Sequence, residues 1–180
     1  MAQIDSQVTE ARPLLLTKRA ALRRIWGTAA VSNLPSHIPQ RMANRAMNVL
    51  AEEGLKAHVE AKHVRARGPG AGIFLFTEDE NGTRAGFTAY GRKGLPAEHV
   101  AEAACEELLA YYRSGAPIDS HLADQLVLPL AFASGVSRFT TSQVTEHLRT
   151  NIWVVERFGQ GAFEMTDTTI TVEPNRARTV

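Results

Sequence analysis

The chain contains little that would support a disulfide framework, a cysteine-rich metal site or a membrane span. Cys105 is the single cysteine in 180 residues, which excludes an intrachain disulfide and a cysteine-rich zinc site and fits a reducing compartment. No apolar run approaches the roughly 20 residues that a bilayer-spanning helix needs. The N-terminus lacks the basic and then apolar order of a signal peptide. These absences predict a cytoplasmic protein without a membrane partner.

The charge balance does not identify a partner either. Twenty lysines and arginines stand against nineteen acidic residues, which leaves a formal net charge of +1. A nucleic-acid site would therefore have to be a local basic patch. Hydrophobic residues make up 44% of the chain and the mean hydropathy is −0.18. Such a chain is typical of a globular protein with one sizeable core or two small ones.

The middle of the chain has the periodicity of a self-contained α+β domain. Residues 22–114 show the order β-α-β-β-β-α. Gly27 lies inside the first of these strands, where we expect a bulge. Gly54 stands where a left-handed residue would end the first helix, and Asn81-Gly82 predicts a hairpin. The predicted strands are Arg23–Ser32, Leu55–Val64, Ile73–Thr77 and Thr83–Tyr90, and the predicted helices are Ser36–Glu53 and Pro96–Arg113.

The flanking segments predict a second unit that the middle block interrupts. It would consist of residues 12–21 and 115–173, with a disordered lead-in over 1–11 and a loose tail over 174–180. Its predicted elements are a strand at Pro13–Thr17, a helix from Asp119 through Ala133, a strand at Ser137–Thr141, a helix from Thr145 to Phe158, and a hairpin of Ala162–Met165 and Thr168–Val172.

The helix predicted after Asp119 carries the first candidate site. Asp124 and Gln125 are adjacent and lie one turn beyond His121. Pro129 cannot donate to the carbonyl of Gln125, so a free carbonyl, an amide and a carboxylate gather at one bend. From the pattern alone, a solvated face on a proline-kinked helix is the favoured interpretation.

The second candidate site is the start of the following helix. With Thr145 as the N-cap, His147 lies in the first turn, where the positive end of the macrodipole disfavours a protonated ring. The same helix end offers unpaired backbone N–H groups to a phosphate. A neutral imidazole beside a phosphate is suited to nucleophilic attack on phosphorus, and Asn151, one turn on, could fix its tautomer. The alternative is a surface histidine near a cap.

The glycine-rich segment Gly68–Gly72 permits a phosphate-loop interpretation. It lacks the Gly-Lys-Ser/Thr ending and leads into a strand instead of a helix. A tight turn that uses the conformational freedom of glycine is the favoured interpretation.

Four segments resemble RNA 3′-terminal phosphate cyclases. Residues 27–42 (GTAAVSNLPSHIPQRM) are similar to the opening of the inserted domain of that family, and Arg67–Gly70 with Ile73–Leu75 is similar to its glycine-rich turn and strand. Residues 122–131 (LADQLVLPLA) resemble its near-C-terminal helix. Residues 147–158 (HLRTNIWVVERF) resemble the segment that holds its adenylated histidine. The resemblance extends over about residues 12–173 and favours the functional interpretation of both sites.

The resemblance implies a fold and a reaction. The expected fold is an α+β sandwich in which a βαβαββ-type cyclase repeat is interrupted by a thioredoxin-like insert. The expected reaction uses ATP and a divalent cation, Mg²⁺ or Mn²⁺. A histidine takes AMP from ATP, the AMP passes to an RNA 3′-terminal phosphate, and the neighbouring 2′-hydroxyl closes a 2′,3′-cyclic phosphate and expels AMP.

By the same resemblance, particular residues acquire roles. His147 would be the nucleophile, and Asp124 would hold the metal or the triphosphate side of the nucleotide. Gln125 would contact the nucleotide. His121 stands where the family has an aromatic residue that contacts the nucleotide.

The length of the chain departs from the family pattern. A complete cyclase is about twice as long, with two further repeats that contribute ATP and RNA contacts. We therefore expect a truncated C-terminal half with impaired activity alone, paired with a separately encoded N-terminal half or self-associated. The alternatives are a non-catalytic cyclase-like factor in RNA processing or ribosome biogenesis, and an inert remnant. The presence of His147 favours the catalytic branch.

Overall fold

The computed structural model describes residues 11–174, which form two compact units. The central unit is Arg19–Gly115, and the split unit is built from residues 11–18 and 116–174. The protein is of mixed α+β class. The predicted lead-in over 1–11 and the predicted tail over 174–180 lie outside the described residues, apart from one residue of each. Ala11 forms a parallel bridge with Ala133, and Pro174 ends the last strand.

The described residues contain eight strands and four helices. The strands are β1 Leu15–Leu16, β2 Leu22–Ser32, β3 Ala57–His63, β4 Gly70–Asp79, β5 Arg84–Tyr90, β6 Ser137–Thr140, β7 Gly161–Thr166 and β8 Thr169–Pro174. The helices are α1 His37–Glu52, α2 Ala97–Ser114, α3 Ser120–Ala131 and α4 Glu146–Arg157. None of these helices is long and apolar enough to cross a membrane.

A four-stranded mixed sheet organises the central unit. Its strand order is β3-β2-β4-β5; β2 and β3 are parallel, whereas β4 is antiparallel to both β2 and β5. Helices α1 and α2 pack against each other and against one face of the sheet, where alternate strand residues such as Ala29, Ile73 and Leu75 are buried. Period-two alternation therefore divides each strand between a buried face and an opposite face.

Two predicted turns of the central unit are confirmed, whereas the predicted tight glycine turn over 68–72 is wrong, because Gly70 already begins β4 and none of Gly68, Gly70 and Gly72 has a positive φ. Gly54 has φ +74° just after α1, and the Leu55 N–H donates to the Leu50 carbonyl at 2.9 Å, which closes the helix end. Gly82 has φ +82° in the tip between the antiparallel strands β4 and β5, so the Asn81-Gly82 hairpin is confirmed.

The expected bulge at Gly27 is wrong. The β2–β4 register is continuous through Gly27, and the irregularity lies between Leu22 and Arg24. Glycine is needed at position 27 for a different reason, which is the lack of space for a side chain. A Cβ atom at this position would lie 2.4 Å from the carbonyl oxygen of Phe74 and 2.8 Å from Cδ2 of Leu75. The close approach of β4 therefore requires glycine.

The second face of the central sheet is here called the open face, because neither α1 nor α2 covers it. The register places on it Arg24, Trp26, Thr28 and Ala30 of β2, His58, Glu60 and Lys62 of β3, Gly72, Phe74, Phe76 and Glu78 of β4, and Arg84, Gly86, Thr88 and Tyr90 of β5.

One end of the open face carries an ion-pair cluster around Glu78, whose side chain is buried. Its Oε2 accepts from Arg24 at 2.9 Å and from Arg84 at 2.7 Å, and Arg23 lies 3.5 Å from Oε1. The hydrogen bonds from Arg24 and Arg84 lower the pKa of Glu78. Three guanidinium groups thus share one carboxylate, which leaves this end of the face basic.

Replacing Glu78 with glutamine is expected to lower the melting temperature at pH 7 more than at pH 3. A lowered carboxyl pKa stabilises the folded state above the ordinary value of 4.5, and this stabilisation is lost as the pH falls below that value. Thermal unfolding of the wild type and E78Q at both pH values measures the difference. E106Q, at an exposed site on α2, is the matched control. If E78Q lowered the melting temperature equally at both pH values, a lowered pKa of Glu78 would be contradicted.

The split unit also contains a four-stranded mixed sheet. Its order is β1-β6-β8-β7, with β1 parallel to β6 and with β8 antiparallel to both β6 and β7. Helices α3 and α4 pack against each other, and Val127 and Leu148 are buried with Phe139 and Ile170 of the sheet. Helix α3 ends at Ala131 and not at Ala133 as predicted, because Ala133 pairs with Ala11.

Candidate active site

The start of α4 presents His147 to solvent. Thr145 is the N-cap, as predicted, and its side chain accepts from the Leu148 N–H at 3.1 Å. His147 is the second residue of the helix and is exposed. The cap therefore fixes the backbone from which the imidazole projects.

The same helix end has the character of an anion site. The backbone N–H groups of Glu146 and His147 have no intrahelical partner, because both residues lie in the first turn. They point out of the positive end of the helix. The Glu146 carboxylate extends into solvent and lies 3.6 Å from the guanidinium of Arg149. A phosphate group beside His147 would meet these backbone donors directly.

Helix α3 carries the other candidate residues. Asp119 is its N-cap, as predicted, and its Oδ1 accepts from the N–H groups of His121 at 3.0 Å and Leu122 at 2.9 Å. His121 and Gln125 are exposed, whereas Asp124 is half-buried. All three side chains belong to the first two turns of the helix.

A side-chain hydrogen bond joins the two candidate segments. The Asn151 amide donates to the backbone carbonyl of Asp124 at 3.4 Å. Asn151 and His147 are four residues apart and therefore share one face of α4. The structure thus brings the Asp124 turn of α3 beside the α4 face that carries His147. The expected tautomer-fixing contact from Asn151 to His147 is not among the hydrogen bonds of residues 11–174, where the Asn151 amide contacts Asp124 instead.

The acidic residues present would supply few ligands to a divalent cation. Within residues 11–174 no group of three or more His, Cys, Asp or Glu side chains lies together. Asp124 can supply one carboxylate ligand. Mg²⁺ commonly binds through one or two carboxylates, substrate phosphates and water. Asp124 is therefore the residue of this site that could contribute a ligand to such a cation.

Cys105 and Arg157 have contacts that give them structural roles. Cys105 is fully buried in α2, and desolvation raises the pKa of its thiol to about 12. The Cys105 thiol is therefore not accessible from solvent. The Arg157 guanidinium stacks over the Trp153 ring at 5.2 Å.

Sequence reasoning missed the aromatic side chains of the open face. Trp26, Phe74, Phe76 and Tyr90 lie on β2, β4 and β5 with their rings on the same side of the sheet. Their alternation with the buried residues of each strand was visible in the sequence. The pairing that assembles them comes from strand register, which no local pattern specifies.

Comparison with known proteins defines the class of these two units. The family model for the insert domain of RNA 3′-terminal phosphate cyclase matches residues 17–113. This range corresponds closely to the central unit, Arg19–Gly115. The chain belongs to the RNA 3′-terminal phosphate cyclase family.

Curated relatives extend the similarity into the split unit. The RNA 3′-terminal phosphate cyclase of Methylococcus capsulatus is 52% identical over 141 residues, which cover 78% of this chain and 39% of that protein. That of Trichormus variabilis is 49% identical over 148 residues, covering 82% of this chain and 42% of the relative. The RNA 3′-terminal phosphate cyclase of Methanopyrus kandleri is 39% identical over 153 residues, which cover 82% of this chain and 44% of that protein. The chain matches less than half the length of these relatives.

Proposed function

We propose that this chain is the C-terminal half of an RNA 3′-terminal phosphate cyclase, which converts an RNA 3′-phosphate to a 2′,3′-cyclic phosphate at the expense of ATP. The observation that carries the proposal is the capped first turn of α4, which presents His147 beside unpaired backbone donors and next to the Asp124 turn of α3. Membership of the cyclase family supports this assignment.

His147 performs the first chemical step. An imidazole nitrogen bonds to the α-phosphorus of ATP, the bond to the bridging oxygen breaks, and pyrophosphate leaves. An oxygen of the RNA 3′-phosphate then takes the AMP from His147 and releases the imidazole. The neighbouring 2′-hydroxyl attacks the activated 3′-phosphorus, loses its proton and expels AMP, which closes the cyclic phosphate.

The surrounding groups position the nucleotide. The N–H groups of Glu146 and His147 hold the phosphate oxygens on which negative charge develops. Gln125 and His121, both exposed on α3, contact the nucleotide. Asp124 would hold a divalent cation, which would supply positive charge to the triphosphate.

The finer fold assignment belongs to the same proposal. The strand order β3-β2-β4-β5, with two parallel strands joined by α1, supports a thioredoxin-like topology for the insert. The split unit is then part of a βαβαββ-type repeat. Further ATP and RNA contacts come from a separate chain that corresponds to the part of the relatives that this chain does not match; the alternative is that this chain self-associates.

A complementation assay tests the proposed function. The 180-residue chain is mixed with the portion of the Methylococcus capsulatus relative that it does not match, together with ATP, Mg²⁺ or Mn²⁺, and an RNA labelled at its 3′-phosphate. We expect the mixture to convert the labelled 3′-phosphate to a form that phosphatase cannot remove. Either part alone should carry out this conversion much more slowly. Samples without ATP are the control. RNA binding without conversion in the presence of ATP would favour the non-catalytic alternative.

A further inference from the structure

The open face of the central sheet combines aromatic rings with small neighbours that leave them accessible. The Trp26 and Phe76 rings are stacked with centroids 5.3 Å apart and an interplanar angle of 16°, and Phe74 meets Phe76 edge-on at 4.2 Å. Gly86 lies opposite Phe76 and Gly72 lies opposite Tyr90 in the register. Because these glycines have no side chains, the Tyr90 ring lies over Gly72 and the Phe74 ring lies over Gly86.

The rings remain available to a ligand. Tyr90, the last residue of the edge strand β5, is 79% exposed, and Phe74, within the inner strand β4, is 37% exposed. A groove of about 620 Å³ runs between them and is lined also by Thr28, Thr88 and the glycine-rich segment 68–72. This volume lies within the range of small-ligand pockets. A planar ring inserted here would contact aromatic surface and hydroxyl groups together.

Basic residues flank the aromatic groove on two sides. At one end, Arg23, Arg24 and Arg84 outnumber the carboxylate of Glu78. At the other end, the loop before β4 carries Arg65 and Arg67, two exposed cations with no ion pair to any residue in the described range 11–174, and residues of the same loop line the groove. The other acidic residue that the register places on this face, Glu60, is paired with Lys62 at 2.6 Å.

We propose that the open face of the central unit binds a single strand of RNA, with bases stacked on Tyr90 and Phe74 and with phosphates held by the flanking basic residues. Aromatic platforms on four-stranded sheets stack successive bases, and basic grooves follow the backbone. The inference rests on the proposed function for the choice of RNA. It adds a binding surface for the RNA strand on the central unit.

The composition of the face favours a nucleic acid over a protein partner. The centre of a protein interface is depleted of charged residues. Here the rings are instead interleaved with Lys62 and His58, and Arg24 already stacks over Trp26 at 4.4 Å. Local basic charge with interspersed aromatic and hydroxyl side chains is the complement of a phosphodiester strand.

Fluorescence anisotropy with the full 180-residue chain tests this surface. The probe is a fluorescein-labelled, unstructured RNA of about 12 nucleotides that ends in a 3′-hydroxyl, without ATP. Because this RNA cannot be cyclised, binding is measured apart from catalysis. We expect Tyr90→Ala to weaken binding about 5- to 150-fold. Tyr90→Phe, which keeps the ring, should bind like the wild type, as should Phe158→Ala, a matched exposed aromatic of the split unit that is 75% exposed.

Two further measurements localise the strand. In a Trp153→Phe background Trp26 is the one remaining tryptophan, and its fluorescence should be quenched by RNA, since the sequence contains two tryptophans. The double variant Arg65→Ala/Arg67→Ala should reduce the slope of log affinity against log salt by roughly 0.7 for each lost phosphate contact. Circular dichroism of each variant checks that the fold is retained.

The outcomes separate this proposal from the proposed function. If the wild-type chain bound the RNA probe in a Tyr90-dependent way but the complemented mixture did not convert a 3′-phosphorylated RNA, the cyclase assignment alone would be contradicted. The open-face proposal would be overturned by equal RNA affinity of folded Tyr90→Ala and Phe158→Ala, or by no binding of the probe. It would also be overturned if Tyr90→Ala merely converted a dimer to a monomer in sedimentation, because the face would then bind a second copy.

Discussion

Replacing His147 with asparagine is expected to abolish transfer of AMP from α-labelled ATP to the chain in the complemented mixture. Asparagine has no ring nitrogen that can attack phosphorus, so labelling should fall by roughly 10³-fold or more, as on loss of other catalytic nucleophiles. The fold should not change, since His147 is exposed and the cap is formed by Thr145. Labelled protein is quantified after gel separation at neutral pH.

The matched control is His99→Asn. His99 is also exposed and also lies near the start of a helix, as the third residue of α2. It lacks the neighbouring Asp124 turn, and labelling should be that of the wild type. If both variants lost labelling equally, or if His147→Asn kept it, the nucleophile would lie elsewhere.

Gly27→Ala is expected to lower the free energy of unfolding of the central unit by about 1–3 kcal/mol, the usual cost of forcing extra atoms into a packed interior. The new methyl group would meet the Phe74 carbonyl at 2.4 Å, so β2 and β4 would have to separate locally. Urea unfolding followed by Trp26 fluorescence in a Trp153→Phe background measures the change.

Gly68→Ala is the matched control for this substitution. Gly68 has no heavy atom within 4 Å of the added Cβ position, and its φ lies outside the left-handed region. The Gly68→Ala variant should be as stable as the wild type or slightly more stable, because alanine reduces the entropy of the unfolded chain. Equal stabilities of the two variants would mean that Gly27 has no packing role.

Local chemistry in the sequence predicted the ends of elements well. Gly54, the Asn81-Gly82 turn and the caps Asp119 and Thr145 depend on neighbours within a few residues, so their patterns could be interpreted directly. The family resemblance is likewise confirmed by the match over residues 17–113. Short-range signals thus accounted for most helix and strand positions.

Features that depend on distant partners could not be predicted in the same way. Gly27 is explained by the approach of Phe74 from β4, 47 residues along the chain. The contact from Asn151 to Asp124 requires the packing of α4 on α3, and the burial of Glu78 requires arginines from two other strands. Spacing along the chain specifies which residues share an element, whereas register and helix packing decide which elements meet.

The most direct test of the account is to locate the AMP on the labelled chain. Trypsin should release residues 139–149, a peptide in which His147 is the single histidine. We predict that mass spectrometry under neutral conditions finds AMP on this peptide, and that acid or hydroxylamine removes it, as expected for a phosphoramidate. AMP on any other peptide, or an acid-stable link, would contradict the assignment of His147 as the nucleophile.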